Sequence, residues 1–331
     1  MEKTKKIALI TGATSGIGES TSYELANQFS LILCGRNTDK LKELEASLST
    51  KTKVKTLQFD VRNQQDCYEK ISSLGNDWKN IDVLINNAGN AHGLDFIHEG
   101  KIEDWDMMID TNVKGLLYVS KPVLDIMIKN NNGHIINIGS IAGKELYPKG
   151  NIYCASKFAV DAISQGMRID LNKFNIKVSQ INPGLVETNF SMVRFKDDED
   201  KSNSVYHGVD PLVGDDVAKV ISYVINCPEN VNIITDQVRT KLNTNLNVSF
   251  SNAESGLNFF NAVDHVQVSK IGTPTGFPFL DKTQGGGWNP KTLVVFQGRP
   301  KVGKSMVLSN IAARAFMTGC QTGVATLELS D

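Results

Sequence analysis

Between Lys5 and about Cys227 the chain alternates short apolar runs with amphipathic stretches, and few folds tolerate that pattern. The runs "KIALITG", "LILCGR", "VKTLQFDV", "IDVLINNAG", "GHIINIGS" and "IKVSQINPG" read as strands, each continuously apolar and not alternating. Continuous runs mean strands covered on both faces. Between them lie helical segments such as "GESTSYELANQF" and "DWDMMIDTNVKGLLYVSKPVLDIMIKN". Strand, helix, strand in repetition predicts an α/β fold, a doubly wound parallel sheet with helices on both sides. Near Asn230 the character changes. From Thr235 to about Gly272 the composition is rich in Asn, Ser, Thr and Val with weak periodicity, as in a linker. The expected division is therefore a first domain over 1–235, a linker-like segment over 236–272 and a further piece over 273–331.

Composition removes several classes of function. The 331 residues hold 35 Lys and Arg against 36 Asp and Glu, so no bulk field favours nucleic acid or an anionic membrane. Five cysteines without C-x-x-C spacing argue against a zinc site or a disulfide framework and for a reducing, cytoplasmic compartment. No stretch approaches the roughly 20 apolar residues of a membrane helix.

"TGATSGIG" (residues 11–18) follows the first strand and opens the first helix. Gly12, Gly16 and Gly18 permit a tight turn and close approach of the backbone to a pyrophosphate, which a helix N-terminus favours electrostatically. Alone, such a turn equally describes an ordinary strand–helix junction. Its company is more specific. "NNAG" (86–89) ends the fourth strand, Ser140 ends the fifth, and "YCASK" sets Tyr153 and Lys157 four apart on one helix face. With Asn112 and "PGLVET" (183–188), these residues resemble the short-chain dehydrogenase/reductase family, over roughly residues 5–235. The resemblance implies a Rossmann-type fold and a nicotinamide dinucleotide. It implies contacts to that cofactor from Gly12, Ser15, Gly16, Ile17, Gly18, Asp60, Val61, Asn87, Ala88, Gly89, Pro183, Gly184, Val186 and Thr188. It also implies that Lys157 holds the nicotinamide ribose and that Asn112 organises a water relay.

Residue chemistry agrees with those roles. A phenol titrates near 10 and is a poor base at neutral pH. A lysine ammonium one turn away would favour the phenolate and bring Tyr153 into working range. Ser140 can hydrogen-bond a substrate oxygen as charge develops on it. Dinucleotide folds that bind a free ribose 2′-hydroxyl usually end the second strand in Asp or Glu. "LILCGRN" carries Arg36 instead, which suits a 2′-phosphate and favours NADP(H). Arg36 as a solvated loop charge and Asp60 as a strand-end cap remain open readings. The segments "WDMMIDTNVKGLLYVSK" and "VETNFSMVRFKDDEDKSNSVYHG" resemble the family's NADP-dependent 3-hydroxy acid dehydrogenases. That branch implies serine, allo-threonine or 3-hydroxyisobutyrate as substrate type. Arg194 could meet the substrate carboxylate from a lid, or belong to a solvated charged loop. A homo-oligomer, in the family a tetramer, is implied too, but "NVNI" runs into "ITDQVRTKLNTN", which does not continue the family pattern. The closing strand and its interface are therefore unreadable from sequence.

A second motif stands far from the first. "GRPKVGKS" fits G-x-x-x-x-G-K-[ST], a loop that cradles phosphates through Gly298 and Gly303, with Lys304 on the outer ones and Ser305 on magnesium. With "TGFPFLD" before it and "GVATLELSD" after, this stretch resembles the RecA-like ATPase core of replicative helicases, and Glu328 matches that family's water-polarising glutamate. Later elements of such a motor have no counterpart in this sequence, so a truncated P-loop fragment is expected, with Mg-ATP as its candidate ligand and no translocation. Three readings of the chain follow: an NADP-dependent dehydrogenase, an ATP-binding helicase-like fragment, or a fusion whose C-terminal part has no function.

Overall fold

The computed structural model describes residues 5–206 and 210–238. The strands are β1 (Lys6–Thr11), β2 (Phe29–Gly35), β3 (Val54–Gln58), β4 (Ile81–Asn86), β5 (Gly133–Ile138), β6 (Ile176–Pro183), β7 (Val186–Glu187), β8 (Leu212–Val213) and β9 (Thr235–Val238). The first five helices are α1 (Gly16–Leu25), α2 (Thr38–Leu48), α3 (Gln64–Ser72), α4 (Ile102–Ile109) and α5 (Leu116–Asn130). Then come α6 (Asn151–Leu171), α7 (Phe190–Arg194), α8 (Glu199–Ser204) and α9 (Gly214–Ile225). Seven strands form one parallel sheet in the order β3-β2-β1-β4-β5-β6-β9, and β7 pairs with β8 in a small second sheet. This is the expected Rossmann-type sheet. The winding order of the strands reverses between β1 and β4, and the crevice at that point is where such sheets take ligands.

Both faces are covered, which explains the unbroken apolar runs. On one face Ala8, Ile10, Leu31 and Leu33 pack with Leu25, Leu44, Val217 and Ile221 from α1, α2 and α9. On the other, Ile7, Leu9, Ile32 and Ile135 pack with Ile71, Val119, Val123 and Met127 from α3 and α5. Asn37 and Asn63 start α2 and α3 by accepting backbone N–H bonds through their side chains.

Three sequence expectations need correction. "VKTLQ" is not a covered run: β3 is an edge strand in which only Leu57 is buried, because among the described residues nothing pairs with its outer side. "DWDMMIDTNVKGLLYVSKPVLDIMIKN" is not one continuous helix either. A π-helical turn, Asp110–Gly115, separates α4 from α5, an insertion that commonly marks functional sites. Finally, the closing strand is present. "TDQV" pairs in parallel with β6, and the Gly184 amide donates to the Val238 carbonyl at 2.7 Å, so the sheet runs past the expected boundary at 235. The P-loop motif (Gly298, Gly303, Lys304, Ser305) and Glu328 lie outside the described residues. Among those described, no helix is long and apolar enough to cross a membrane.

A buried polar chain ties the sheet centre to two helices. Asn86 Nδ2 donates to Asn137 Oδ1 and to Ser120 Oγ, both at 2.9 Å, and Asn137 Nδ2 donates to Ser164 Oγ at 2.9 Å. All four side chains are buried, so removing one leaves its partners short of bonds. Asn137→Ala should cost about 1–3 kcal/mol. Urea unfolding would show it as a lower midpoint with an unchanged slope.

Candidate active site

The glycine loop is held in its turn by the neighbouring strand. Thr11 Oγ1 accepts from the amides of Asn87 and Ala88, each at 3.0 Å, while Asn87 Nδ2 donates to the carbonyls of Thr11 (2.9 Å) and Gly12 (3.1 Å). Gly12 has φ +62°, where a side chain is strained. A Cβ on Gly18 would overlap the Gly12 carbonyl and stand 2.5 Å from Asn87 Nδ2. These two positions are a cradle that only glycine leaves open. Ser15 caps α1 without a side-chain bond to its first amides, so the helix start keeps its donors for an anion. Thr188 approaches from the segment after β6: a Cβ on Gly16 would lie 3.0 Å from it.

At the far side of the crevice, Arg36 follows β2 with its side chain 65% exposed, and its guanidinium is 3.9 Å from Asp60. Asp60 is engaged more tightly elsewhere. Arg62 grips it with Nε at 3.1 Å from both carboxylate oxygens and a terminal nitrogen at 2.6 Å. The Arg62 hydrogen bond holds the Asp60 carboxyl below its ordinary range, against the opposing effect of partial burial. Val61 packs against the π turn, where a Cβ on Gly115 would come within 2.8 Å of it. Arg36 is thus the guanidinium with a free face here, and no carboxylate ends β2.

Tyr153 and Lys157 face the crevice from α6. Lys157 is buried, donates to the Ile138 carbonyl at 3.0 Å, and lies 5.9 Å from the centre of the Tyr153 ring. Burial lowers its pKa to about 8. Burial likewise pushes the Tyr153 phenol well above its ordinary 10, while a hydrogen bond with Ser140 and the Arg194 charge pull it down. Spacing assigns the acidifying work to Lys157, but in the fold burial outweighs it, and the cation that pulls on the phenol is Arg194, whose guanidinium lies 5.7 Å from the ring centre. Ser140 caps a short turn, its Oγ accepting from the Ala142 amide at 3.1 Å. Asn112 sits in the π turn with its amide spoken for. It exchanges bonds with the Asn90 backbone (2.8 and 2.9 Å) and donates to Ser156 Oγ at 2.9 Å. Gly89 fits between, because a Cβ there would be 3.2 Å from Asn112 Oδ1 and 3.5 Å from Lys157 Nζ.

Arg194 is anchored and is no solvated charge. Its Nε donates to the Gly93 carbonyl at 3.0 Å and its NH1 to the Tyr147 hydroxyl at 3.1 Å, and the Gly93 amide donates back to the Arg194 carbonyl at 3.0 Å. Two residues on, Lys196 pairs with Asp104 at 2.9 Å. The segment expected as a lid is therefore tied to the loop after β4 through Gly93 and to α4 through Asp104. Tyr153 and Arg194 line one narrow cavity, about 10 Å³ in volume, together with His92, Asp104, Trp105 and Asn151. The fold thus gathers the dinucleotide motifs and Tyr153, Lys157, Ser140, Asn112 and Arg194 around one crevice. Sequence reasoning missed Tyr147, Ser156, Asn90 and His92. Asn90 adjoins "NNAG" and Ser156 lies inside "YCASK"; Tyr147 precedes that motif with no spacing that links it to Arg194.

Burying Lys157 has a consequence for stability. The folded chain releases this proton near pH 8, while the unfolded chain keeps it to the ordinary 10.5. Between those values the unfolded state binds more protons, so stability rises with pH across the window. Lys157→Met should flatten that rise. Urea midpoints of both proteins from pH 7 to pH 10 would show the difference.

Comparison with known proteins gives the family. The short chain dehydrogenase family matches residues 6–199. The chain is 43% identical over 231 residues to the NADP-dependent 3-hydroxy acid dehydrogenase of Salmonella typhi, covering 69% of this chain and 92% of that protein. It is 40% identical over 235 residues to the NADP-dependent 3-hydroxy acid dehydrogenase of Schizosaccharomyces pombe, covering 70% and 90% respectively. Among solved structures, the closed form of a serine dehydrogenase complexed with NADP+ aligns with TM-score 0.68 at 41% identity, over 73% of this chain and 98% of the other. The chain belongs to the short-chain dehydrogenase family and is an oxidoreductase acting on an alcohol group.

Proposed function

We propose that the protein interconverts a 3-hydroxy acid and its 3-oxo counterpart with NADP(H). The observation that carries this reading is a phenol and a guanidinium, those of Tyr153 and Arg194, on one cavity wall. A phenol suits the hydroxyl that loses its proton, and a guanidinium suits a carboxylate. The relatives named above share the activity in their names. The cradle at Gly12 and Gly18, the uncapped start of α1 and the exposed Arg36 fit a dinucleotide with a 2′-phosphate. Ser15, Gly16, Ile17, Ala88, Gly89, Pro183, Gly184, Val186 and Thr188 would line its path, with Asp60 and Val61 toward the adenine. When bound, the nicotinamide accepts or supplies the hydride.

The protein's own groups do the rest. Arg194 holds the carboxylate and so orients the hydroxyl toward Tyr153. Ser140 hydrogen-bonds the reacting oxygen, and Tyr153, as the phenolate, takes its proton and becomes the neutral phenol. The Lys157 and Arg194 cations beside the ring favour that phenolate before the transfer. Asn112 fixes the geometry around Lys157 through Asn90 and Ser156. The same reading keeps a homo-oligomer, because α9 and β9, elements of a subunit interface by the family resemblance, are in place and Tyr223 on α9 is 66% exposed.

Tyr153→Phe should lower kcat for L-serine or L-allo-threonine by roughly 100-fold or more while NADPH still binds. Steady-state NADPH formation and NADPH fluorescence titration would check both halves. Arg36→Ala should weaken NADPH binding about tenfold or more and leave NADH binding nearly unchanged. Equal losses for both cofactors would show that Arg36 does not meet the 2′-phosphate.

A further inference from the structure

His92 follows "NNAG" by three residues and has no role in the chemistry above. Its Nε2 is buried and has no hydrogen-bond partner among the described residues. It lines the cavity shared by Tyr153 and Arg194. Its neighbour Gly93 is bonded in both directions to Arg194, so the backbone at His92 is held beside the arginine. An unmatched ring nitrogen beside an anchored arginine and a catalytic phenol is a recognition element in search of a third substrate group.

Resting on the reading of this site as a 3-hydroxy acid dehydrogenase, we propose that His92 is a specificity-determining residue. It selects 3-hydroxy acids that carry a hydrogen-bonding substituent on carbon 2. With the carboxylate on Arg194 and the 3-hydroxyl on Tyr153, carbon 2 lies between them, and its substituent is the polar group left for Nε2. Burial holds His92 below its ordinary range, against the pull of Asp104, so the ring is neutral near pH 7. A neutral ring keeps one bare nitrogen to accept from a 2-ammonium, or in its other tautomer can donate to a 2-hydroxyl. A 2-unsubstituted acid would leave Nε2 buried and unpaired, and sites built this way reject the analogue lacking the group.

The test uses the full chain with NADP+ and compares L-serine with 3-hydroxypropanoate, which differ at carbon 2. The wild-type protein should favour L-serine in kcat/KM. In His92→Leu that preference ratio should fall roughly 10- to 100-fold, mainly through KM, and His92→Gln should recover part of it. A ratio that does not move, whether both substrates lose equally or neither does, overturns the proposal and makes His92 a structural residue. A second measurement needs no variant. Against the wild-type protein, L-alanine should inhibit more tightly than propanoate, and equal inhibition constants would overturn the proposal. If the wild-type protein oxidises 3-hydroxypropanoate but shows no preference for L-serine, the proposal fails and the dehydrogenase reading stands. If neither 3-hydroxy acid is oxidised, that reading fails and takes the proposal with it.

Discussion

The reciprocal lock between Thr11 and Asn87 sets the geometry on which the site depends. One hydroxyl and one carboxamide join the ends of β1 and β4 through four hydrogen bonds. They do so at the point where the sheet reverses its winding, where no helix covers the strand ends. The lock holds the Gly12 carbonyl in place, and that carbonyl is what forbids a side chain at Gly18. The start of α1, the cradle for an anion and the path to Gly89 all follow from it. Loosening either partner would unsettle the cofactor face and the catalytic face together.

Charge placement makes the opposite demand. A lysine, a tyrosine and an arginine share a space that disfavours the charged form of the first two. The result is a lysine lowered to about 8 beside a phenol raised by burial. Environments that push neighbouring groups away from their ordinary values characterise catalytic sites. The fold sustains this because the surrounding polar groups are mutually bonded. Asn112 is tied to Asn90 and Ser156, Ser140 to its own turn, and Arg194 to Gly93 and Tyr147. The π turn at Asp110–Gly115 contributes directly, since Asn112 lies within it and reaches Asn90 and Ser156 from there.

Much of this was legible in the sequence because it depends on local pattern. Continuous apolar runs report burial on both faces, and the glycine spacing reports a turn no other residue could make. Tyr153 and Lys157 are one helical turn apart whatever else happens. Features that failed to show are those set by distant contacts. Edge position turned the β3 run into a half-exposed strand. The break at Asn112 has no proline or glycine to announce it before Gly115. "TDQV" became a strand because β6 offered a free edge, against a composition that reads as linker. The partnership of Arg194 with Tyr147 joins residues 47 apart, and no spacing rule covers such a pair.

The central claim is direct hydride transfer from carbon 3 of a hydroxy acid to NADP+ at the Tyr153 site. The measurement that tests it most directly is mass spectrometry of the reduced cofactor formed by the full chain from L-serine deuterated at carbon 3. One deuterium in each molecule of reduced cofactor is the expected result. Reduced cofactor without deuterium, or no reduction of NADP+ while L-serine and NADP+ are both bound, would contradict it.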